Sequence, residues 1–144
     1  MTFLVGQRAI VVDASVAVPF VLGHADWQAA WREWAVAESM LLVPPHFGHE
    51  VANALLRSAR IGGSATVGAL ERLFRVGVEV ADRGLTGLRE SVRLADQHGL
   101  TVYDAGYLEL AIDVDGQLAT LDGDLRAAAE AEGVEIVNWA FPAA

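Results

Sequence analysis

The chain contains no cysteine and no lysine. Without cysteine there is no disulfide, thiolate metal site or cysteine nucleophile, a composition that fits a reducing cytoplasm. Without lysine, every strongly basic side chain is an arginine, and phosphate loops of the G-K-[ST] type are excluded. Long apolar runs are missing as well, because Asp13 and Pro19 interrupt the one that follows Arg8. We therefore expect a cytoplasmic protein with neither an export signal nor a membrane span.

The length and composition predict one compact domain. The 144 residues suffice for a single hydrophobic core, and 53% of them are hydrophobic whereas 20% are charged. We expect this domain to occupy residues 1–144, with residues 1–8 forming a short extension before the first strand.

The net charge of −9 is unfavourable for a partner rich in phosphate, since such partners usually require a surplus of basic residues. The charge is unevenly distributed, however. The segment 57–75 contains four arginines and one acid, whereas the segment 104–135 contains nine acids and one arginine. This distribution weakens the argument against a nucleic-acid partner.

Short apolar segments alternate with segments of helical periodicity, which predicts an α/β fold with a central, mainly parallel sheet flanked by helices. The predicted strands are Ala9–Val12, Met40–Val43, Val78–Val80, Gln117–Leu121 and Val134–Val137. The predicted helices are Ser15–Leu22, Asp26–Glu38, Pro45–Ile61, Ser64–Arg75, Thr86–His98, Asp104–Ile112 and Gly123–Glu132. Glycines that follow several of these segments support the helix ends.

Four acidic residues lie at or near the ends of these elements. Asp13 follows the first predicted strand and Asp122 follows the fourth. Ligands of open parallel sheets bind beyond the carboxyl ends of the strands, so the two carboxylates meet if the strands are neighbours. Asp104 begins a predicted helix, and Glu50 lies inside another, on a face that it shares with Asn53 and Arg57. One binding site at this sheet edge is therefore predicted.

Each acid also has a purely structural interpretation. Asp13, Asp104 and Asp122 stand where helices begin, and aspartate is a preferred helix cap. Thr101 precedes Asp104 at the spacing of a capping box. Glu50 has an alternative as part of a solvated helix face. As a set, however, converging carboxylates repel one another and require protons or a cation, and Mg²⁺ or Mn²⁺ would meet that requirement.

Four segments together resemble the PIN-domain family, and most closely its VapC-like toxins. They are residues 10–16 (IVVDASV), 50–57 (EVANALLR), 103–107 (YDAGY) and 118–122 (LATLD). They occur in the family's order over nearly the whole chain, and the set is specific although each segment alone is weak. The resemblance implies a three-layer α/β/α PIN-like fold and a ribonuclease dependent on Mg²⁺ or Mn²⁺, the toxin of a type II toxin–antitoxin system. It also implies an antitoxin protein as partner and a homodimer as the working unit.

Residue roles follow from the same resemblance. It implies a catalytic, metal-binding quartet of acids, an auxiliary acid and several supporting polar residues. These are, in that order, Asp13, Glu50, Asp104 and Asp122; Asp124; and Ser15, Asn53, Arg57 and Thr120. We expect hydrolysis of an RNA phosphodiester without a covalent enzyme intermediate, in which Glu50 binds the ion or orients the attacking water. Arg57 and Arg60 are the candidates for steering phosphate.

Two other classes of function use similar residues. A phosphohydrolase of the haloacid-dehalogenase type would use Asp13 as a nucleophile, but its aspartate requires a lysine, which the chain lacks. A phospho-receiver domain meets the same objection. A non-catalytic PIN-like binding module would keep the fold without the chemistry, and the retained acids argue against it.

Three further features have competing interpretations. Trp27, Trp31 and Trp34 fall at helical spacing, and such a stripe either packs into the core, which is the more frequent case, or stacks on bases or another chain. His46 and His49 do not match the H-E-x-x-H zinc pattern or its inverse. Apolar faces on the helices predicted at 45–61 and 64–75 fit a partner groove, a dimer seam or a buried core.

Overall fold

A computed structural model describes residues 8–138, and within that range four strands and seven helices alternate. In chain order they are β1 (Ala9–Val12), α1 (Ala14–Val21), α2 (Ala25–Val36), β2 (Met40–Val43), α3 (Phe47–Arg57), α4 (Gly63–Arg75), β3 (Val78–Val80), α5 (Gly84–His98), α6 (Val102–Asp113), β4 (Gln117–Ala119) and α7 (Gly123–Ala131). The predicted extension lies outside the described residues except for Arg8, which pairs with Glu135 at 2.6 Å. No helix in this range is long and apolar enough to cross a bilayer.

The strands form one parallel sheet in the order β3-β2-β1-β4. In β1, Ile10 lies opposite Leu41 of β2 on one side and opposite Gln117 of β4 on the other. The predicted proximity of Asp13 and Asp122 required β1 and β4 to be neighbours, and this is confirmed. The strand order reverses beside β1, and ligands of open α/β sheets bind at such a reversal.

Helices cover both faces of the sheet and give the predicted three-layer arrangement. Helices α1 to α4 form one group, with contacts from α1 to α2, α3 and α4. Helix α6 contacts α5 and α7 and also packs on β1 and β4. All residues of β1 are buried, as expected for a strand covered on both faces. The predicted α/β fold is therefore confirmed.

The predicted fifth strand, Val134–Val137, is wrong. This segment forms a single parallel bridge, between Ile136 and Leu118. Two backbone hydrogen bonds hold it, from Leu118 N to the Glu135 carbonyl (3.0 Å) and from Val137 N to the Leu118 carbonyl (2.9 Å). The ladder is short because β4 has only three residues. After Ala119 the chain turns away from the strand direction, and its amides bond to side chains instead.

Two predicted helix boundaries move for identifiable reasons. α3 ends at Arg57, because the chain turns at Arg60 (φ +53°) and at Gly62 (φ +87°), which precedes α4. α6 begins at Val102 because the Thr101 side chain caps it, accepting a hydrogen bond from the Asp104 amide at 3.1 Å. Asp104 therefore lies in the first turn of α6 and is not its cap.

The tryptophan stripe of α2 faces the interior, which confirms the core-packing interpretation. Trp31 and Trp34 are buried, and Trp27 is partly buried against the same core. Trp31 stacks on Phe20 of α1 with ring centroids 4.1 Å apart. Its indole Nε1 is buried without a hydrogen-bond partner among residues 8–138. An N–H that has lost its water in this way lowers stability.

We expect the two replacements of Trp31 to differ in effect. Trp31→Ala should lower the free energy of unfolding by about 3–5 kcal/mol, since it leaves a large cavity. Trp31→Phe keeps most of the stacking surface and removes the unpaired N–H, so the change should stay below about 1.5 kcal/mol. Urea denaturation measures both values. Equal losses for the two variants would contradict this account of the indole N–H.

Candidate active site

The carboxyl ends of β1 and β4 lie side by side and form the floor of the candidate site. Val12 is opposite Ala119 in the register, and the Asp13 amide donates to the Ala119 carbonyl at 3.0 Å. Asp13 and Thr120, the next residues of the two strands, therefore leave the sheet together. This is the edge at which open parallel sheets bind ligands.

Two hydroxyl groups hold the carboxylate of Asp13, which is only 5% exposed. Ser15 Oγ donates to Asp13 Oδ2 at 2.8 Å, and Thr120 Oγ1 donates to the same oxygen at 2.7 Å. Asp13 occupies the cap position of α1, yet its side chain makes no capping hydrogen bond. The interpretation of this carboxylate as a capping group is therefore wrong, although Asp13 is the cap residue of the helix by position.

The backbone fixes the direction of both hydroxyl bonds. The Leu121 amide donates to Ser15 Oγ, and the Asp122 amide donates to Thr120 Oγ1, each at 3.0 Å. A hydroxyl has one proton, so an oxygen that already accepts an amide directs that proton to Asp13. Asp13 Oδ1 makes no hydrogen bond to the described residues and is the oxygen left for a ligand.

Asp122 has both a structural and an open oxygen. Its Oδ1 caps α7, accepting hydrogen bonds from the amides of Asp124 (2.9 Å) and Leu125 (3.0 Å). The capping interpretation is therefore correct for this acid. Its Oδ2, like Asp13 Oδ1, makes no hydrogen bond within residues 8–138. Capping and ligand binding are thus compatible here, because they use different oxygens.

Glu50 is half-buried in the first turn of α3 and is held from α6. The Tyr107 hydroxyl donates to Glu50 Oε1 at 2.7 Å, and His46 Nε2 lies 3.5 Å from the same oxygen. Burial and the hydrogen bond to Glu50 raise the pKa of Tyr107 far above its ordinary value, so this hydroxyl stays a neutral donor. The alternative of a freely solvated Glu50 is therefore wrong.

Electrostatic repulsion links the four acids. Burial is the main cause that raises the pKa of Glu50, and the charges of Asp13 and Asp104 raise it further, although the nearby tyrosine and histidine oppose the change. Burial also raises the pKa of Asp104, followed by the charges of Asp13 and Asp122. Acids from distant parts of the chain therefore lie close enough for their charges to affect one another, whereas their role as ligands of a common cation stays a prediction.

Three predicted site residues lie at the periphery. Asn53 and Arg57 are exposed on α3, and neither side chain forms a hydrogen bond or ion pair with the described residues. Asp124 is exposed as well, and it contacts Asp122 through its backbone amide. Their roles in the site stay predictions.

His46 and Tyr107 are contact residues of the site that the sequence analysis did not assign. His46 Nε2 lies 2.8 Å from the Tyr103 carbonyl, so the ring connects the start of α3 to the start of α6. Gly106 permits this approach, because a Cβ there would lie 2.6 Å from His46 Cε1. The available signal was the four-residue spacing from His46 to Glu50, which puts both on one face of a helix.

The site offers oxygen ligands to a cation. No three His, Asp or Glu side chains of the described chain converge as a ready-made metal cage. A hard divalent ion that keeps several waters needs only one or two carboxylates, and Asp13 and Asp122 each present an unbonded oxygen. The donor set therefore fits Mg²⁺ or Mn²⁺ by its chemistry.

Comparisons with known proteins agree with this geometry. Residues 10–131 match the PIN domain family, a range that includes all four acids. Ribonuclease VapC3 of Pyrobaculum aerophilum is 35% identical over 122 residues, which cover 81% of this chain and 91% of that protein.

Solved structures share the fold. VapC20 of Mycobacterium tuberculosis, described as a sarcin-ricin loop cleaving toxin, has a TM-score of 0.66 at 25% identity, covering 83% of this chain and 94% of that one. VapBC2 of Rickettsia felis, bound to a DNA fragment from its promoter, has a TM-score of 0.69 over 91% of this chain and 98% of that one. At 14% identity this second likeness concerns the fold alone. The chain belongs to the PIN-domain family, and within it resembles the VapC proteins.

Proposed function

We propose that this protein is a metal-dependent endoribonuclease of the VapC type, the toxin of a toxin–antitoxin pair. The observation that carries the proposal is the Asp13 carboxylate, which two oriented hydroxyls hold through one oxygen and whose charge acts on Glu50 and Asp104. The relative named ribonuclease VapC3 supports the same activity. Since the substrate is RNA, we expect the protein to act in the cytoplasm.

We assign Asp13, Asp104 and Asp122 to Mg²⁺ or Mn²⁺, which they would hold directly or through its waters, with Glu50 as a further candidate. When bound, the cation supplies positive charge opposite the phosphate and makes water a stronger acid. The hydroxyls of Ser15 and Thr120 keep Asp13 in one orientation. The site therefore needs little rearrangement when substrate arrives, which is the condition for efficient electrostatic catalysis.

Glu50 is our candidate for orienting the attacking water and accepting its proton. A carboxylate in water is a weak base at neutral pH, and the burial that raises the pKa of Glu50 makes it a better one. The Tyr107 hydroxyl occupies Oε1, which leaves Oε2 for the proton. The water oxygen forms the new bond to phosphorus and the RNA oxygen leaves, so no bond between enzyme and RNA is required.

We also assign an antitoxin partner and a homodimer to the protein. The relatives' VapC names support the first, and apolar side chains that stay exposed on the α3–α4 pair support both, among them Leu56, Val67 and Phe74. These faces are only partly used by the core, which buries Leu55 of α3 and Leu73 of α4. Light scattering of the purified chain tests the dimer.

Asp13→Asn tests the function directly. We expect it to reduce Mg²⁺- or Mn²⁺-dependent cleavage of cellular RNA by about 100-fold or more. Replacing a residue that only hydrogen-bonds to a metal ligand already lowers metal affinity or activity by roughly 10- to 100-fold. The matched control is Asp96→Asn, at an exposed acid of α5, which should keep full activity. Hydrolysis of a small phosphoester without RNA cleavage would instead favour a haloacid-dehalogenase-like enzyme. Absence of both activities in the wild type would favour a non-catalytic PIN-like module, whereas full RNA cleavage by Asp13→Asn would contradict the catalytic role of this acid.

The stability of the metal-free protein should fall as pH rises. Glu50 and Asp104 have a higher pKa in the folded protein than their ordinary values of 4.5 and 3.8, so the folded state holds protons that the unfolded chain releases. The stabilisation from these two protons is fully present below the ordinary pKa values and is lost as the pH rises through the raised pKa values of the folded protein. Melting temperatures in the presence of a chelator, recorded from pH 4 to 7.5, measure this pH dependence of stability.

Added Mg²⁺ should reverse the loss, with a larger gain in melting temperature at pH 7.5 than at pH 5, because the ion requires ionised ligands. Asp13→Asn should weaken that gain. An equal gain at both pH values, in wild type and variant alike, would contradict the assignment of these acids as ligands.

Charge reversal at Arg57 tests the steering of phosphate. We expect Arg57→Glu to raise the KM for RNA by roughly 5- to 10-fold and to reduce the salt dependence of binding by about one unit of slope, as for the loss of one phosphate contact. Arg32→Glu, an exposed site on α2, is the control for net charge. If both variants behave alike, Arg57 has no specific role.

A further inference from the structure

A cavity of about 260 Å³ adjoins the acidic site, between the start of α3, the start of α5 and the first two turns of α6. His46 and Tyr103 line it, and both also border the acids. His46 Nε2 lies 3.5 Å from Glu50 Oε1, and Tyr103 directly precedes Asp104 in α6. The cavity and the acidic site are therefore two compartments with a common wall.

The charges around the cavity argue against an anion as its ligand. Arg83 is the only arginine among the described residues that line it, and two carboxylates engage its guanidinium. Arg83 contacts buried Glu109 through Nε and Nη2, both at 3.1 Å, and Asp113 through Nη2 at 3.1 Å. Because these carboxylates neutralise Arg83, the cavity has no net positive charge from this residue to attract a phosphate. Arg83 still places polar atoms at the edge of the cavity.

The residues that line the cavity are largely apolar and include the aromatic rings of His46 and Tyr103. Tyr103 is 63% exposed, so much of this residue is accessible to a ligand. Glycines allow α6 to lie close to the starts of α3 and α5. A Cβ at Gly106 of α6 would lie 2.6 Å from His46 Cε1, and a Cβ at Gly87 of α5 would lie 3.2 Å from Glu109 Oε2 of α6. Exposed Leu88 completes the mouth.

We propose that this cavity binds one nucleobase of the RNA, next to the phosphodiester bond that the acids cleave. The assignment rests on the proposed ribonuclease function and extends it to substrate selection. Single-stranded RNA is recognised mainly by stacking its bases on aromatic side chains and by hydrogen bonds to their edges. Tyr103 supplies the stacking face, and Asp82 and Arg83 supply edge contacts of both polarities.

The size of the cavity favours one base over a longer segment. Pockets for drug-sized ligands have volumes of about 300–1,000 Å³. At about 260 Å³ this cavity lies just below that range, which fits a single ring system. Because it shares His46 and Tyr103 with the acidic site, the base it holds belongs to a nucleotide adjoining the cleaved bond.

The experiment uses an RNA oligonucleotide that the wild-type protein cleaves at one mapped bond, and matched RNAs with a single abasic nucleotide at each position flanking that bond. For the wild type, one abasic position should lower kcat/KM by about 5- to 100-fold, the range for loss of one base stack. Tyr103→Ala should show a loss of similar size on the intact RNA and no further loss on that abasic RNA. Tyr103→Phe should behave like the wild type.

Ile112→Ala is the matched control, since it removes an exposed apolar side chain from α6 outside the cavity. It should leave every rate unchanged. If Tyr103→Ala lowers kcat/KM by the same factor on the intact RNA and on every abasic RNA, the base pocket is overturned, whereas the proposed ribonuclease activity is not affected. A changed oligomeric state in size-exclusion chromatography, without any dependence on a base, would overturn it in favour of a contact between copies. If the wild type cleaves no RNA in Mg²⁺ or Mn²⁺, the proposed function fails, and the pocket fails with it.

Discussion

Two hydroxyl groups, each fixed by a backbone amide, donate to the same oxygen of Asp13, and the geometry of the site depends on this contact. Ser15 comes from the first turn after β1, whereas Thr120 follows β4, 107 residues from Asp13. The contact exists only because β1 and β4 are neighbours in the sheet. Without it a nearly fully buried carboxylate would have no partner, which is costly in a protein interior. The network thus offsets the burial of the charge and positions it.

The acidic cluster and the core act in opposite directions on stability. The structure places like charges close together in a partly buried site. Burial and the neighbouring charges raise the pKa of Glu50 and of Asp104, with Asp13 among the acids that contribute. The buried core offsets this unfavourable arrangement, since all residues of β1 are buried and α3 and α6 each contribute to the core, with Val51 and Leu108 among the buried residues. Perturbed acids held by a rigid frame are typical of functional sites.

Much of the fold and the positions of the acids could be predicted because they depend on local patterns. Four strands were readable as apolar runs, although the fourth was predicted to reach Leu121 and ends at Ala119. Asp13 directly follows β1, and Asp122 lies three residues beyond β4. The fifth strand could not be distinguished from a single bridge, because that depends on the length of β4. Likewise, Tyr107 looks like any core tyrosine in sequence, and its bond to Glu50 arises only because the fold brings α6 close to the start of α3. The cavity beside His46 had no sequence signal, since its walls come from several separate segments.

The double use of Asp122 affects how variants of this protein should be interpreted. One of its side-chain oxygens caps the start of α7, and losing such a cap typically costs about 1 kcal/mol of stability. An alanine at this position would therefore fray a helix and remove a charge at the same time, so an inactive variant would not separate folding from chemistry. Asparagine keeps the oxygen that receives the two amides. A mutational scan that uses alanine alone would therefore overstate the contribution of Asp122 to catalysis. The same scan is sound for Asp104, because Thr101 caps the helix that contains it.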